Sequence, residues 1–550
     1  MTRVALRGML GRKLRVVLTA IAIVIGVAMV SGTYILTDTI KAAFATVFTQ
    51  AYKNADAVIT GKNAIGNNNN GQSSGTPSLP ASLAATVQRL PGVAQVGGGI
   101  ADSAQLVGHN GKVISRGGAP GLAFSYEPAN QRFNPLSLAS GSWPTAPSEV
   151  AIDAATASKD GYRPGETIGV IARGAVQRFR IAGTVKFAGV SSLGGATMAV
   201  FALPTAQQIF HKQGQLDVID IAGTRGTTPQ QLVQEIRPLL PRDAQVRTGQ
   251  GQAKQATKDT SGFLGIFQSF LLAFGGIALF VGSFVIANTL SITIAQRTRE
   301  LATLRTLGAT RRQVLGSVLI EALVIGLLAS VAGLFVGLGL ARGLNALLVS
   351  LGIDLPQTGT VFATRTIIVS LLVGVLVTLA AAVRPAIRST RVPPIAAVRE
   401  GAVLPPSRFA RFGLYAAVGT ISVAVALLLV GLLVTSLSTT QRLLAIGVGA
   451  AVLFIGVSML APKLVPPLVR VLGWPATKLG GGAGKLARGN AVRNPARTAS
   501  TASALMIGLT LVTFVGVLAA GLRSRFESAV NQQFIANYAV TATNNFSPIN

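Results

Sequence analysis

The stretch AQRTRELATLRTLGATRRQV, residues 295–314, separates two strongly apolar segments. It holds five arginines and one glutamate, and it is too short to form a domain. A short basic segment between apolar segments of about 20 residues is typical of a loop that joins two membrane helices. The apolar segments on both sides therefore decide the fold of this chain.

The composition favours a membrane protein. Half of the 550 residues are apolar, 12% are charged, and the mean hydropathy is +0.54. The absence of cysteine excludes disulfides and cysteine-ligated metal sites. The two histidines, His109 and His211, are far apart in sequence and suggest no ligand cluster, so we predict no metal site.

Seven apolar windows are long enough to cross a bilayer as helices. They are Val16–Leu36, Phe263–Ile294, Val314–Leu348, Ile367–Val383, Leu414–Leu437, Leu443–Val465 and Leu505–Leu522. The first follows five basic residues, is long and has no clear cleavage site, so we interpret it as an uncleaved anchor. The sequence predicts an α-helical integral membrane protein with about seven transmembrane helices.

The distribution of charge predicts the orientation in the membrane. Four segments that alternation places on one side, 1–15, 295–313, 384–412 and 466–500, hold 22 Lys or Arg and two Glu. This asymmetry indicates a cytoplasmic side and a cytoplasmic N-terminus. The net charge of +30 is then mostly a property of topology, and we predict no nucleic-acid partner.

Residues 45–260 form the one large polar region, and alternation places it outside the membrane. They include 12 of the chain's 18 acidic residues. Strand-like runs such as QRFRIAGTVKF (177–187) alternate with helix-like stretches at 80–90, 204–212 and 228–240, the last with Thr228 as N-cap. We expect a large mixed α+β extracytoplasmic domain.

The start of the chain resembles a segment near its end. Residues 6–26 align with 487–508, including Arg7–Gly8 with Arg488–Gly489. We therefore expect residue 550 to fall early in a second copy of the opening unit, in a fragment or one piece of a split system. The predicted organisation is 1–44 (basic tail and first span), 45–260 (external domain), 261–400 (three-span domain), 401–486 (two-span connector) and 487–550 (seventh span and start of a second repeat).

Signatures of catalysis are missing from the sequence. GGGAGKLA (480–487) lacks the first glycine and the hydroxyl of a phosphate-binding loop, so we expect a flexible linker there. Asp217 and Asp220 are expected as polar positions at a strand edge. We predict no catalytic residues, no cofactor and no enzyme activity.

The third span contains two unusual features. Gly326, Ser330, Gly333 and Gly337 recur at intervals of three and four residues, which predicts a face for close helix packing. Glu321 lies about two turns inside the span. It is either a functional intramembrane carboxylate or a side chain that reaches the cytoplasmic rim and pairs with Arg311 or Arg312.

The opening stretch predicts a short amphipathic helix. Leu301, Leu304 and Leu307 share one side at helical spacing. Gly308 suits a helix C-terminus, and Thr310 with Gln313 matches a capping box that opens the third span. A solvated basic loop is the alternative, but three leucines on one side favour a docking helix.

At these residues the sequence resembles the FtsX/MacB-type permease family of ABC transporters. RTRELATLRTLGATRRQV (297–314) is similar to the family's segment between its second and third spans. PPIAAVREG (393–401) is similar to the segment after the fourth span, and GSWPTAPSEVAIDAATASKDGYRPGETIGV (141–170) to a signature of the external domain.

The resemblance implies a coupling helix at 297–309 that docks on a separate ATPase subunit, present in two copies, which binds the ATP. The implied ATPase-coupling residues are Arg299, Glu300, Leu301, Leu304, Arg305, Leu307, Gly308, Arg311 and Arg312. It further implies a location in the bacterial inner membrane, and a second permease copy or a missing C-terminal half as partner.

Three functions remain open at this point. The resemblance favours a permease that exports, or transmits force to, a lipoprotein, lipid, peptide or drug. The alternative within the family is a regulator of an extracellular cell-wall hydrolase. A membrane-anchored sensor or adhesion protein would leave the coupling segment unexplained.

Overall fold

The computed structural model describes residues 13–62, 77–116, 119–356, 359–390, 413–434, 436–479, 481–493 and part of 495–524. These residues form two compact units. Of the described residues, those within Thr33–Phe270 and Gly339–Ala363 form the α+β unit, and those within 13–32, Leu271–Leu338 and 364–524 form the helical unit.

Twelve α-helices and fourteen strands are assigned among the described residues. The helices are α1 Lys13–Ala51, α2 Ala81–Gln88, α3 Ala154–Asp160, α4 Leu203–Ile209, α5 Pro229–Ile236, α6 Gly249–Gln296, α7 Thr298–Thr306, α8 Arg311–Ser350, α9 Thr364–Thr390, α10 Gly413–Leu433, α11 Thr439–Leu479 and α12 Gly481–Arg493. The strands are β1 Ala57–Gly61, β2 Leu79–Pro80, β3 Val93–Gly99, β4 Ala101–Asp102, β5 Gln105–Val107, β6 Gly121–Tyr126, β7 Leu136–Gly141, β8 Glu149–Asp153, β9 Thr167–Ile171, β10 Gln177–Phe187, β11 Thr197–Ala202, β12 Gln215–Leu216, β13 Val218–Gly223 and β14 Ala244–Thr248.

The α+β unit contains two main sheets with separate cores. One has the strand order β14-β1-β13-β3 and packs against α2 and α5, around Ile59, Ile219 and Leu232. The other has the order β4-β6-β11-β8-β10-β9-β5, with β7 beside β10, and its core includes Ile152, Ile181 and Phe201. The predicted mixed α+β class is confirmed.

The strongest local signals of the sequence reappear as elements of this unit. Strand β10 spans the QRFRIAGTVKF run from end to end. Helix α5 begins as expected: Thr228 Oγ1 accepts a hydrogen bond from Gln231 N, Thr228 N donates to Gln231 Oε1, and Pro229 occupies the first turn. Strand alternation and helix capping depend on residues that are neighbours in sequence. The sequence alone can therefore predict these elements.

The helical unit has an apolar core where four helices meet. Val27 of α1, Ile286 of α6, Ile325 of α8 and Ala382 of α9 are all buried in it. In the described part of the chain, six helices are long and apolar enough to cross a membrane. They correspond to the first six predicted spans, while the seventh, 505–522, falls mostly outside the described residues.

Most of the predicted flexible linker at 480–487 is helical. Residues 481–493, which include most of the predicted flexible linker, form helix α12, because glycines alone do not prevent a helix that packs against α11. The proposed repeat of 6–26 in 487–508 and the boundaries at 401 and 487 involve many residues outside the described set, so they stay predictions.

Candidate functional site

The basic stretch folds into a short helix set between two long ones. Helix α6 ends at Gln296, and Arg297 takes φ −92° and ψ 4°, which breaks the helical path before α7 begins at Thr298. Helix α7 has nine residues and carries Glu300 in its first turn and Arg305 in its last. These charges are of the sign that the helix dipole favours at each end.

A closed turn joins α7 to α8. Gly308 has φ +100°, Ala309 N donates to Leu304 O at 3.0 Å, and Gly308 N donates to Arg305 O at 3.2 Å. These two bonds form a Schellman motif, which requires a left-handed residue at the glycine position. Thr310 N then donates to Gln313 Oε1 at 2.9 Å, and Gln313 N donates to Thr310 Oγ1 at 3.3 Å, forming the capping box of α8.

The outward face of α7 differs from the expected leucine side. Ala302 is buried and Leu304 is partly buried, whereas Leu307 follows the helix and is 80% exposed. Glu300 and Thr303 are exposed on the same face as Leu307, and Arg311 and Arg312 are exposed just beyond it. The side chains of Arg299 and Leu301 lie outside the described set. Among the side chains that the structure describes here, the exposed surface is therefore Leu307 with polar and basic neighbours.

Glu321 pairs with an arginine other than those expected. Arg297 Nη1 donates to Glu321 Oε2 at 2.8 Å, and Arg297 Nε lies 3.2 Å from Glu300 Oε2. The side chains of Arg297 and Glu321 are only 10% and 11% exposed. The predicted pairing of Glu321 with Arg311 or Arg312 is wrong, because both arginines are exposed at the opposite end of the turn.

Arg297 is a residue that the sequence analysis did not single out. It is the first charged residue after the second apolar window, and Glu321 is the acidic residue of the third. An acidic residue inside one apolar window and a basic residue just after the preceding window are a signal for a buried pair, because an unpaired charge inside the window would be costly. The pair connects the start of α7 to a point about three turns along α8.

The small residues of α8 lie against neighbouring helices. A Cβ on Gly333 would lie 2.8 Å from Val27 Cβ of α1, and one on Gly337 would overlap Ser31 Oγ and lie 2.9 Å from Ala28 O. Gly326 is close to Thr378 of α9 in the same way. Ser330 is fully buried and its Oγ donates to Gly326 O at 2.6 Å. These contacts support the predicted packing role.

In the described part of the chain, apolar helices of membrane-spanning length together with a mixed α+β unit define a multi-pass membrane protein with a large polar domain. Two family models match this arrangement: the FtsX-like permease C-terminal domain at residues 272–394 and the MacB-like periplasmic core domain at residues 16–239. The chain carries both domains. It is similar to ABC transporter permeases of the MacB/FtsX type and is a cell-membrane protein.

Similar proteins are ABC transporter permeases. The permease protein Rv0987 of Mycobacterium tuberculosis is 27% identical over 395 residues, which are 70% of this chain and 44% of that protein. The permease MJ1507 of Methanocaldococcus jannaschii is 26% identical over 32% of this chain and 44% of its own. The macrolide export ATP-binding/permease protein MacB of Nitrobacter winogradskyi is 30% identical over 24% of this chain and 19% of its own. The chain thus spans less than half of the length of these relatives.

A solved structure, the periplasmic region of MacB from Actinobacillus actinomycetemcomitans, aligns with 38% of this chain and 95% of its own. Its sequence identity is 15% and its TM-score is 0.26. The extracellular domain of YknZ aligns with 34% of this chain at 12% identity, with the same TM-score of 0.26.

Proposed function

We propose that this chain is a permease subunit in which α7 couples ATP hydrolysis by a separate ATPase subunit to the extracytoplasmic domain. The similarity to ABC transporter permeases implies an ATPase partner. The observation that carries the proposal is the 80% exposure of Leu307 at the end of α7. A buried ion pair holds the start of this helix, and a glycine turn closes its end. A rigidly held apolar side chain is what a groove in a partner protein can receive.

Motion of the docked α7 would pass into α6 and α8, which flank it in the chain. Arg297 pairs with Glu321 of α8, so a displacement of the start of α7 acts on α8 directly as well as through the Gly308 turn. Helices α1 and α6 each contain residues of both units. The proposed work of the protein is therefore mechanical, with a lipoprotein, lipid, peptide or drug as the cargo outside the membrane.

The test is co-purification of the ATPase from native membranes with Leu307→Asp. Placing a carboxylate in an apolar groove is expected to lower the recovered ATPase by about tenfold or more. Leu239→Asp is the matched control, because Leu239 is also exposed, at 40%, but belongs to the α+β unit. Recovery of normal amounts of ATPase with a correctly inserted Leu307→Asp variant would contradict the docking role.

The same purification separates the two functions that the family allows. Recovery of a cargo molecule with the wild-type chain supports export or mechanical extraction of that cargo. Recovery of an extracellular cell-wall hydrolase, with the ATPase, supports the regulatory alternative instead.

A further inference from the structure

Helix α11 is longer than a bilayer requires. Residues 444–461 are 18 consecutive residues without a charged side chain, which is within the range of about 17–25 residues that a transmembrane helix uses. The helix nevertheless continues to Leu479, and α12 follows at Gly481. We refer to residues 462–479 of α11 together with α12 as the basic helix pair.

Four prolines interrupt the hydrogen bonding in the last part of α11. They are Pro462, Pro466, Pro467 and Pro475. Each lacks the backbone N–H that would bond to the carbonyl four residues earlier. An unpaired carbonyl is costly in hydrocarbon, whereas water and lipid headgroups can satisfy it at the membrane surface. Residues 462–479 are therefore better suited to the surface of the bilayer than to its core.

The basic helix pair carries positive charge without an acidic residue. The sequence has no Asp or Glu between Glu400 and Glu527. The pair contains six basic residues, of which five are exposed and Arg488 is half-buried: Lys463, Arg470, Lys478, Lys485, Arg488 and Arg493. Like charges that lie close together repel one another, so an anion from outside the pair would stabilise it.

In the α+β unit, by contrast, acidic side chains are available as partners. Lys212 Nζ is 2.8 Å from Asp217 Oδ2, just before β13. The expected strand-edge position of Asp220 is wrong, because Asp220 lies on the central strand β13, opposite Val58 of β1 and Gly97 of β3. It lines a cavity of about 600 Å³. The basic helix pair has no such carboxylates in its own sequence.

Packing of α12 against α11 holds basic residues of the two helices near each other. Arg488 Nη2 donates to Arg470 O at 3.2 Å. The stem of Arg488 passes beside Gly473, because a Cβ on that glycine would lie 3.4 Å from Arg488 Cγ. The guanidinium of Arg488 is therefore fixed at the turn of α11 that carries Arg470, and the two helices share one positive surface.

Exposed apolar side chains lie beside these charges. Leu464, Leu468, Val471 and Trp474 are between 41% and 71% exposed, and they recur at intervals of three and four residues, which places them on one face of α11. One turn further on, Lys478 Nζ lies 4.2 Å from the centroid of the Trp474 ring. A helix with Trp and Leu on one face and basic residues beside them is typical of the membrane surface.

Retention of positive charge on one side of the membrane predicts the sign of this segment but not its arrangement. A polar loop with the same six charges would satisfy that rule. Here the charges lie on two packed helices and adjoin an exposed apolar face. This combination of a phosphate-binding charge and an apolar surface matches a phospholipid, which has both a charged headgroup and acyl chains.

We propose that the basic helix pair binds anionic phospholipids of the leaflet that the charge distribution predicts to be cytoplasmic. Their phosphate groups pair with Lys and Arg side chains of both helices, and Leu468, Val471 and Trp474 contact the acyl chains nearest the headgroups. Clusters of about four to eight basic residues next to a membrane helix attract anionic lipids. The surface consists of α11 and α12 alone, so it is independent of the docking of α7, and either proposal stands if the other fails.

The fluorescence of Trp474 provides a test in the full chain. Trp143→Phe leaves Trp474 as the single tryptophan. Nanodiscs of fixed composition contain phosphatidylcholine with a minor share of phosphatidylglycerol. Brominated acyl chains, which quench tryptophan on contact, are placed either on the phosphatidylglycerol or on an equal amount of phosphatidylcholine. Quenching by labelled phosphatidylglycerol should exceed quenching by labelled phosphatidylcholine by about threefold or more.

Neutralising basic residues of the pair should remove this preference. Lys463→Gln, Arg470→Gln and Lys485→Gln are combined in the Trp143→Phe chain, while Lys478 is kept because it contacts the indole ring. The two quenching values should then come close together. Equal quenching before these substitutions would mean apolar contact without headgroup recognition. Quenching by neither lipid would mean that the pair faces water or another protein, and either result would overturn the proposal.

Two control variants separate the effect of the pair from general effects of charge and fluorescence. The first removes three exposed basic residues of the α+β unit and should keep the preference of the parent chain: Arg178→Gln, Lys254→Gln and Lys258→Gln. The second, Trp474→Phe, keeps only Trp143 of the α+β unit and should show no preference between the two lipids.

Thermal unfolding in detergent checks the proposal without any substitution. Phosphatidylglycerol should raise the Tm of the chain more than phosphatidylcholine with the same acyl chains, because a ligand that binds the folded state stabilises it. Inorganic phosphate at the same concentration should have no such effect. A rise with inorganic phosphate equal to that with phosphatidylglycerol would assign the basic residues to a free anion and would overturn the proposal.

Discussion

At the scale of single residues, the Arg297–Glu321 pair is the most consequential contact of the candidate coupling site. Both side chains are almost buried, and their nitrogen and oxygen are 2.8 Å apart. Removing two charges from water is costly, and their attraction balances that cost only while both are present. The pair therefore makes the position of α7 sensitive to either residue alone.

Arg297→Met is expected to destabilise this part of the helical unit by about 3–5 kcal/mol, because Glu321 is left as an unpaired buried charge. The double variant with Glu321→Leu should recover most of that loss. The measurement is the labelling rate of a thiol at Ser317→Cys, a buried position one turn from Glu321, which reports local opening. Arg311→Met is the control, since Arg311 is exposed. A double variant as unstable as Arg297→Met would show that the pair does not act as a unit.

At the scale of elements, α1 and α8 approach closely because α8 has glycines where they meet. Ser31 Oγ also donates to Gly333 O at 3.3 Å, so the two helices are joined by a side-chain bond as well as by backbone contact. In lipid the helices gain nothing from hiding apolar side chains from each other, so close packing and such bonds have to supply the association.

Gly337→Ala is therefore expected to destabilise the helical unit by about 1–3 kcal/mol, since the added methyl would overlap Ser31 and approach Ala28 O. Gly316→Ala, in the same helix, should be neutral or stabilising by up to about 1 kcal/mol, because an added Cβ there meets no described atom within 4 Å. Thermal unfolding of the two variants in detergent measures the difference. A similar loss of thermal stability in both variants would contradict a specific packing face on α8.

At the scale of the whole molecule, charge predicts which side of the membrane each unit faces. The 19 residues 295–313 hold five Arg and one Glu, whereas in 45–260 the 19 Lys or Arg are partly offset by 12 Asp or Glu. Retention of Lys and Arg on the cytoplasmic side then predicts that α7 is inside and the α+β unit outside. This orientation is a requirement of the proposed function, because an ATPase and its ATP are cytoplasmic.

Single thiols test the orientation. In sealed spheroplasts, a membrane-impermeant reagent is expected to label Ser82→Cys of the α+β unit and to leave Thr306→Cys of α7 unlabelled until the membrane is permeabilised. Both positions are exposed, so accessibility within the fold does not limit either reaction. Labelling of Thr306→Cys in sealed spheroplasts would reverse the predicted topology.

Much of the candidate site followed from local sequence. The Gly308 turn and the Thr310–Gln313 box were predictable because each involves residues within a few positions of one another. The exposed face of α7 could not be predicted from local sequence, since it depends on where α7 begins and ends. Arg297 breaks the helix and the last turn closes at Thr306, so Leu307 falls beyond the helix while Leu304 turns inward.

The sequence by itself determined the six apolar helices of the described chain and the mixed α+β class, because hydrophobic length and strand alternation are written in consecutive residues. The tertiary structure decided the partner of Glu321, the exposure of Leu307 and the cavity beside Asp220. Each of these depends on the surroundings that the folded chain creates: Arg297 is 24 residues from Glu321, and Asp220 lines a cavity with residues that are far from it in sequence. Packing brings such residues together, and a pattern of neighbouring residues does not predict which of them will be in contact.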